Sequence, residues 1–237
     1  TRNKVWWQRN GCKADLRGSL IVTTISRVSR STIRQAGFSL IELVIVIVIL
    51  GILAATALPR FLDVPEEAKV ASLEGVAGGF ATGVSLARAQ WEAEGRPSEN
   101  GKNAVIYDTQ KVYLTTPTAA QISNGSVAPG YPMTSDDEDV DPGTLSGDKC
   151  LKVWDAILQN PARATATFSE VANQGDYFKY YTTVTGAAEE ARCIFYQVNS
   201  LAKNSDGSYV DPGNDEGSYN NFTYQPAAGR VFTNIPN

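Results

Sequence analysis

Hydrophobic and polar positions divide this chain into three stretches of different character. The most apolar stretch, residues 38–58, reads FSLIELVIVIVILGILAATAL and contains one charged residue, Glu42. About 20 apolar residues cross a bilayer core as a helix, and in lipid a single segment satisfies its own backbone hydrogen bonds only as a helix. The pattern predicts a helix that is surrounded by lipid or by other apolar helices.

A helical period of apolar residues continues beyond Pro59, a residue that removes one helical hydrogen bond and favours a kink. Gly95 and Pro97 then supply a stop signal. We therefore predict one long helix over residues 38–94, apolar on all sides in its first half and amphipathic in its second. The apolar stripe of the second half steps by three and four residues through Val70, Leu73, Ala77, Phe80, Val84, Ala87 and Trp91.

The third stretch, residues 98–237, is typical of a folded α+β domain. Gly, Pro, Ser, Asn and Asp recur there between short runs of β-branched and aromatic residues. The predicted fold is a small antiparallel sheet packed on the amphipathic helix of residues 65–94. The individual elements are a hairpin over 105–107 and 111–115, a short helix over 151–159, a strand over 192–198, and a terminal hairpin over 221–224 and 229–233.

Charge is distributed unevenly along the chain. Residues 1–37 contain eight basic residues and one acidic residue, whereas the other 200 residues contain 13 basic and 24 acidic residues. Basic residues before a membrane helix favour a cytoplasmic N-terminus, so the acidic domain is predicted on the opposite side of the membrane. The acidic balance argues against a nucleic acid as partner, because phosphate binding requires clustered Lys and Arg.

The three cysteines fit a single structural disulfide. Cys12 lies in the basic segment, on the predicted cytoplasmic side, where thiols stay reduced. Cys150 and Cys193 lie beyond the apolar helix, where an oxidising compartment would pair them. Two buried free thiols are the alternative interpretation.

The sequence offers little for catalysis. It contains no histidine, which removes the commonest general base and metal ligand, and no Ser/His, Cys/His or phosphate-loop arrangement. We therefore predict that the chain is not an enzyme and needs no cofactor. Two acidic clusters, within 136–141 and 204–216, offer hard oxygen ligands for Ca²⁺ without the spacing of an EF-hand. A solvated acidic loop is the simpler reading of both, and the weak calcium candidate is Asp206, Asp211 and Asp215.

The junction between the basic segment and the apolar helix carries the most specific motif. Gly37 is followed by Phe38, by the small hydroxyl residue Ser39, by Leu-Ile and by Glu42. In these residues the chain resembles the type IV prepilins, whose basic leader ends in Gly and whose mature chain begins with Phe and has Glu at its fifth position. Pro59 also falls where the long helix of that family usually has a proline. Residues 63–97 and 150–161 look more narrowly like the mannose-sensitive haemagglutinin (MSHA) pilins, MshB-like.

The resemblance implies a fold and a function. The fold is a long N-terminal helix, membrane-spanning in its first half, packed on a small antiparallel β-sheet head with a C-terminal disulfide loop. The function is that of a minor MSHA-like pilus subunit used in attachment. Its partners are other pilin subunits, an inner-membrane pilus assembly platform, and a prepilin peptidase that cuts between Gly37 and Phe38 and methylates Phe38. The subunit waits in the inner membrane and ends in an extracellular pilus.

The resemblance also implies four segments. Residues 1–37 are a leader that is removed, of which residues 1–30 could be translated upstream sequence, because prepilin leaders are usually shorter. Residues 38–59 form the transmembrane and filament-core helix, and residues 60–95 are its amphipathic continuation. Residues 98–237 form the globular α+β head.

Glu42 has a physical reason to be where it is. A carboxylate at the centre of a hydrocarbon segment costs about 2.5–3.5 kcal/mol on insertion scales, and less near an end, so it needs a partner. Cleavage before Phe38 creates an α-amine one helical turn away, in the same chain or, in a staggered stack of helices, in a neighbouring chain. Such a pair would set the register of the stack. The simpler interpretation is a carboxylate that reaches the headgroup region.

Three alternative functions remain open. Ala55-Thr56-Ala57 satisfies the small-residue rule of an ordinary signal peptide, which would release a secreted domain beginning at Leu58. A pseudopilin of the type II secretion system would share the N-terminal chemistry and act as a piston instead of an adhesive fibre. The third alternative is a membrane-anchored enzyme, for which the acidic clusters are the only candidate chemistry.

Overall fold

The computed structural model describes residues 38–174 and 177–236, and the side chains of residues 56–65 lie outside that description. Its first element, α1, is a helix over Leu40–Ala93, which confirms the predicted long helix. The chain divides into two compact units within this helix, the first ending at Ile52 and the second beginning at Leu53. We call the second unit the head.

The second half of α1 supplies one wall of the head core. The predicted stripe is buried, and Val70 at its start is half-buried. Burying a large apolar side chain contributes about 1.5–3 kcal/mol, so this face holds the helix to the head. The six most buried positions are at most 3% exposed: Leu73, Ala77, Phe80, Val84, Ala87 and Trp91.

The first sheet is antiparallel and has the strand order β1-β2-β3-β4. Strands β2 and β3 form the predicted hairpin. Its two-residue turn, Asp108-Thr109, has positive φ at both positions, as a type I′ turn requires. The strands are β1 Ser98–Glu99, β2 Lys102–Tyr107, β3 Gln110–Leu114 and β4 Pro132–Thr134.

The second sheet has the strand order β5-β6-β7-β8-β9, and it includes the predicted strand at 192–198 and the predicted terminal hairpin. All neighbouring strands are antiparallel except β5 and β6, which are parallel. The strands are β5 Ala164–Thr165, β6 Tyr180–Thr185, β7 Arg192–Gln197, β8 Asn221–Gln225 and β9 Arg230–Asn234.

Three short helices connect these strands. They are α2 Ala119–Asn124, α3 Gly147–Ile157 and α4 Phe168–Gln174. Helix α3 is the predicted short helix, but it begins four residues earlier because the Ser146 side chain accepts the N–H of Lys149 as an N-cap. Helix α4 lies between β5 and β6 in the chain. Since parallel strands cannot be joined by a tight hairpin, this crossover explains the one parallel pair.

Aromatic rings of the second sheet and of α3 meet around Phe80 of α1. The Phe80 ring centroid lies 5.2 Å from that of Phe195, 5.4 Å from that of Phe222 and 5.3 Å from that of Tyr224. Trp154 of α3 stacks on Phe195 at 5.3 Å. The same cluster includes buried residues of β2 and β3, so the two sheets share one core.

Strand β7 is buried on both faces. Cys193 and Phe195 belong to the cluster around α1, whereas Ile194 and Tyr196 belong to a second cluster on the other face. Double burial explains why residues 193–196 of this strand are an unbroken run of apolar and aromatic residues. The predicted α+β class is therefore confirmed, with two sheets where one was predicted.

Candidate functional site

The helix α1 begins with a closed first turn. Phe38 and Ser39 precede the helix, which starts at Leu40. The Ser39 hydroxyl accepts the N–H of Glu42 at 3.2 Å, and Glu42 Oε2 accepts both the N–H and the hydroxyl of Ser39 at 3.3 Å. This reciprocal pair is a capping box, the S-x-x-E pattern that satisfies two backbone donors at a helix start.

The side chains that follow the capping box are apolar and exposed. Every described residue from Phe38 to Ala55 is exposed, and the exposed fraction of the large apolar side chains runs from 39% at Val44 to 81% at Leu40. Glu42 is the one charged residue of this stretch. A soluble monomer rarely carries a contiguous apolar surface of this kind, so the stretch is a site of contact with lipid or protein.

Two parts of α1 are apolar enough to be considered for a membrane. By length and composition, Glu66–Ala93 could cross one, and the described stretch Leu40–Ala55 is a shorter apolar helix. The core helix of a soluble domain meets the same criterion, and a third of the Glu66–Ala93 window is buried. Because its buried positions are the stripe that packs in the head, we assign Glu66–Ala93 to the head core.

Several residues of the predicted processing and assembly site cannot be placed. The leader, including Cys12 and Gly37, lies outside the described residues. Pro59 falls within the bounds of α1, but its side chain lies outside the description, so the predicted kink stays a prediction. Phe38 and Glu42 are both described, and they lie at the exposed start of α1.

The structure joins the two predicted cysteines of the head. Cys150 of α3 and Cys193 of β7 form a disulfide with a Cα–Cα distance of 5.7 Å across a sequence separation of 43. Both side chains are fully buried. The bond ties the helix that stacks on the aromatic core to the central strand of the second sheet.

The carboxylates of the weak calcium candidate do not converge. Each belongs to its own local turn, and the hydrogen bonds from Ser208 lower the pKa of Asp206. Among the described residues, no group of three or more His, Cys, Asp or Glu side chains is placed to hold a metal ion. The geometry therefore gives the candidate no support. Each carboxylate accepts a backbone N–H at 2.9 Å: Asp206 from Ser208, Asp211 from Gly213 and Asp215 from Gly217.

The other acidic cluster, Asp136–Asp139, is held by lysines. Lys152 of α3 pairs with two of its carboxylates, and Lys102 of β2 pairs with a third at 2.7 Å. Buried Lys149 donates to the backbone carbonyl of Asp139 at 2.6 Å, and burial lowers its pKa. These contacts hold the loop against α3 and β2. The carboxylates of the cluster therefore stabilise the position of the loop.

The sequence predicted no role for Ser39 beyond that of the small hydroxyl residue of the motif. The pattern Ser39-x-x-Glu42 before an apolar run is itself a readable sign of a helix start, and it could have identified the capping box in advance.

Comparison with known proteins finds matches to this N-terminal region. Residues 33–58 match the family model for the prokaryotic N-terminal methylation motif. The chain is 45% identical over 65 residues to the type IV narrow pilus major component PilA5 of Thermus thermophilus, which covers 27% of this chain and 54% of that protein. It is 50% identical over 42 residues to the type II secretion system core protein G of Pseudomonas aeruginosa, which covers 18% of this chain and 30% of that protein.

A longer match decides the family. The chain spans only about half the length of the Thermus protein, and no solved structure matches it. It is, however, 30% identical over 104 residues to the type IV major fimbrial protein FimA of Dichelobacter nodosus, which covers 44% of this chain and 67% of that protein. This match is longer than α1, so it is not confined to one apolar helix. The chain therefore belongs to the type IV pilin family.

Proposed function

We propose that the chain is a structural subunit of an extracellular filament, not an enzyme, and that it assembles through the helix that begins at Leu40. The observation that carries the proposal is the exposed apolar surface from Leu40 to Ala55 with a single carboxylate, Glu42. Lipid covers this surface before assembly, and other copies cover it afterwards. The apolar side chains stay out of water throughout, so the transfer costs little hydrophobic free energy.

Processing would precede assembly. A prepilin peptidase removes residues 1–37 by cutting between Gly37 and Phe38, and the new amine of Phe38 is methylated; the match of residues 33–58 to the methylation motif supports this step. Residues 38–59 then form the filament core, residues 60–95 continue the helix into the head, and residues 98–237 form the exposed globular part of the head. An inner-membrane assembly platform would receive the processed subunit.

The basic leader supports a defined topology. Residues 1–37 carry eight basic residues, so the N-terminus of the stored subunit is cytoplasmic and the head is periplasmic. The finished filament lies on the cell surface. An MSHA-like minor pilin that serves attachment is the finer form of the proposal, and it rests on the resemblance of residues 63–97 and 150–161 alone.

Glu42 would set the register of the filament. Its carboxylate needs a cationic partner in an apolar bundle, and the amine of Phe38 in a neighbouring copy is the one that processing creates. Methylation leaves that amine charged. The pair is polar and directional, so it fixes how far one helix is offset from the next.

The second candidate function is that of a type II secretion pseudopilin. The 50% identity to core protein G over 42 residues supports it, because the N-terminal chemistry is shared, whereas the matches to the pilin relatives extend over 65 and 104 residues. Deleting the gene in the native host separates the two. A pilus subunit is required for surface filaments, whereas a pseudopilin is required for export of secreted enzymes.

The mature N-terminus tests the processing step. We expect protein sheared from the native cell surface to begin at methylated Phe38, as read from its mass and N-terminal sequence. An N-terminus at Leu58 would instead identify an ordinary signal peptide. A surface protein that keeps residues 1–37 would contradict the proposal.

The variant Glu42→Val tests the role of the carboxylate. We expect it to insert in the membrane normally, because Val is less costly in hydrocarbon than Glu, and to lose nearly all filament yield. Membrane fractionation and shearing measure the two quantities. Glu67→Val, which removes an exposed acid of the same helix beyond the apolar stretch, is the matched control. Filament yield of the Glu42 variant equal to that of wild type would exclude the register role.

A further inference from the structure

The capping box holds only one of the two carboxylate oxygens of Glu42. Oε2 receives both Ser39 donors, at 3.3 Å each. Among the described residues, no hydrogen bond reaches Oε1. Within the described residues, the carboxylate is thus anchored through Oε2 by its own chain, and Oε1 is the oxygen left for a partner.

We propose that Ser39 is a positioning residue for assembly, which fixes the Glu42 side chain so that Oε1 is presented to the amine of a neighbouring copy. This inference rests on the proposed function. A Glu side chain has three rotatable bonds, and ordering it on binding costs conformational entropy. If Ser39 already holds the side chain in one rotamer, this cost does not arise when the neighbouring copy binds. Preorganisation of this kind strengthens binding without adding a contact to the partner.

The surroundings make this effect larger than it would be in water. Phe38, Leu40 and Ile41 are apolar neighbours of the pair, and each is more than 60% exposed. In lipid or in a helix bundle, these neighbours exclude water from the Glu42 carboxylate. A hydrogen bond is stronger at low dielectric, and a polar group without one is more costly there. Ser39 therefore serves the stored subunit as well, because it satisfies the acid before a partner arrives.

Three substitutions separate positioning from simple helix capping. Ser39→Thr keeps the hydroxyl, and Ser39→Ala removes both the hydroxyl and the cap. Ser39→Gly removes the hydroxyl but remains a good N-cap residue, with a much smaller loss of helix stability than Ala. Positioning predicts that Ala and Gly behave alike. Capping alone predicts that Gly behaves like wild type.

The contact itself is tested by amide hydrogen exchange at position 39, measured on the full chain in detergent micelles. We expect slow exchange for wild type and Ser39→Thr, and about fivefold faster exchange for Ser39→Ala and Ser39→Gly, each corrected for its intrinsic rate. Glu42→Val removes the carboxylate that accepts the N–H of Ser39, so it gives the exchange rate of position 39 without this hydrogen bond. Wild-type exchange as fast as this reference would overturn the proposal, and this result does not depend on whether the chain forms filaments.

The effect on assembly is the ratio of sheared filament to processed, cell-associated subunit in the native host. We expect Ser39→Thr to stay within about twofold of wild type, and both Ser39→Ala and Ser39→Gly to fall about fivefold. A normal ratio for Ser39→Gly would reduce Ser39 to a helix cap and overturn the positioning role. Failure of both variants to be processed would also overturn it, because Ser39 would then act on cleavage. Absence of filaments from wild type would contradict the proposed function instead.

Discussion

Tyr180 and Tyr224 are both buried in the head core, but only one of their hydroxyl groups has a partner. Tyr224 donates to the carbonyl oxygen of Pro132 at 2.9 Å, which links the second sheet to β4 of the first. The Tyr180 hydroxyl is buried without a hydrogen-bond partner among the described residues. Burial raises the pKa of Tyr180 to about 12 and raises the pKa of Tyr224 well above its ordinary value.

Replacing each tyrosine with phenylalanine should therefore give different results. Tyr180→Phe removes a buried polar group without a partner, so we expect the free energy of unfolding to stay unchanged or to rise by up to ~1 kcal/mol. Tyr224→Phe strands the Pro132 carbonyl and should cost about 1–2 kcal/mol. Denaturant unfolding followed by near-UV circular dichroism measures both. A cost for Tyr180→Phe equal to that for Tyr224→Phe would show that the Tyr180 hydroxyl is bonded.

The same pair predicts a dependence on alkaline pH. The folded-state pKa of Tyr180 is raised above the unfolded value of about 10, so its contribution to stability is complete below that pH. It is lost as the pH rises from about 10 to 12. Tyr180→Phe should lose less stability than wild type over this interval. Parallel curves for the two proteins would contradict the prediction.

At the scale of elements, α1 and α3 meet at a glycine. A Cβ atom on Gly83 would stand 2.8 Å from the carbonyl oxygen of Ile157, a distance that real Cβ atoms do not adopt. A Cβ on Gly75, about two turns earlier on the same helix, would meet nothing within 4 Å. Gly83 is thus needed for the approach of two helices, whereas Gly75 only lowers the helix propensity of α1.

Alanine at these two positions should shift stability in opposite directions. We expect Gly83→Ala to lower the free energy of unfolding by about 1–3 kcal/mol, because α1 must move away from α3. Gly75→Ala is the matched control and should raise it by about 0.5–1 kcal/mol through helix propensity. Thermal unfolding measures both. A Gly83→Ala protein as stable as the Gly75→Ala protein would mean that the two helices are not in close contact.

The elements also show how far local patterns reach. Helix α1, the β2–β3 hairpin, β7 and the β8–β9 hairpin follow from run length and periodicity, and the structure confirms each of them. Strand β6 is absent from the sequence-based prediction, although its residues, YYTTVT, are of types that favour strands. Strand β5 has two residues, too few to give any pattern, and it is a strand because α4 carries the chain back so that β6 pairs beside it.

At the scale of the whole molecule, one covalent bond ties the head together. The Cys150–Cys193 disulfide joins α3 to β7 across 43 positions of sequence. In the chain-entropy model, a loop of this size gives about 4 kcal/mol of stability by restricting the unfolded chain. The disulfide would suit a head that is exposed outside the cell, because disulfides persist in an oxidising environment.

Cys193→Ser should lower the melting temperature of the head without changing membrane insertion. The free energy of unfolding should fall by about 4 kcal/mol, and the double variant with Cys150→Ser should behave in the same way. Cys12→Ser, which removes the cysteine of the leader, is the control and should change nothing. A melting temperature of Cys193→Ser equal to that of wild type would count against a stabilising bridge.

What depends on neighbouring residues could be read from the sequence: a helix with two characters and a lone acid at the start of an apolar run. The pairing of Cys150 with Cys193 was predicted from the count of cysteines beyond the apolar helix, with two free thiols as the alternative, and the structure confirms the disulfide. Tertiary structure decided what depends on residues far apart in the chain. It divided the strands between two sheets, kept the three candidate calcium ligands in separate turns, and used lysines of α3 and β2 to hold the acidic loop. The difference lies in how far apart in the chain the interacting residues are. Periodicity and capping act within one or two turns, whereas a bond such as that from Tyr224 to Pro132 joins residues 92 positions apart and has no counterpart in local pattern.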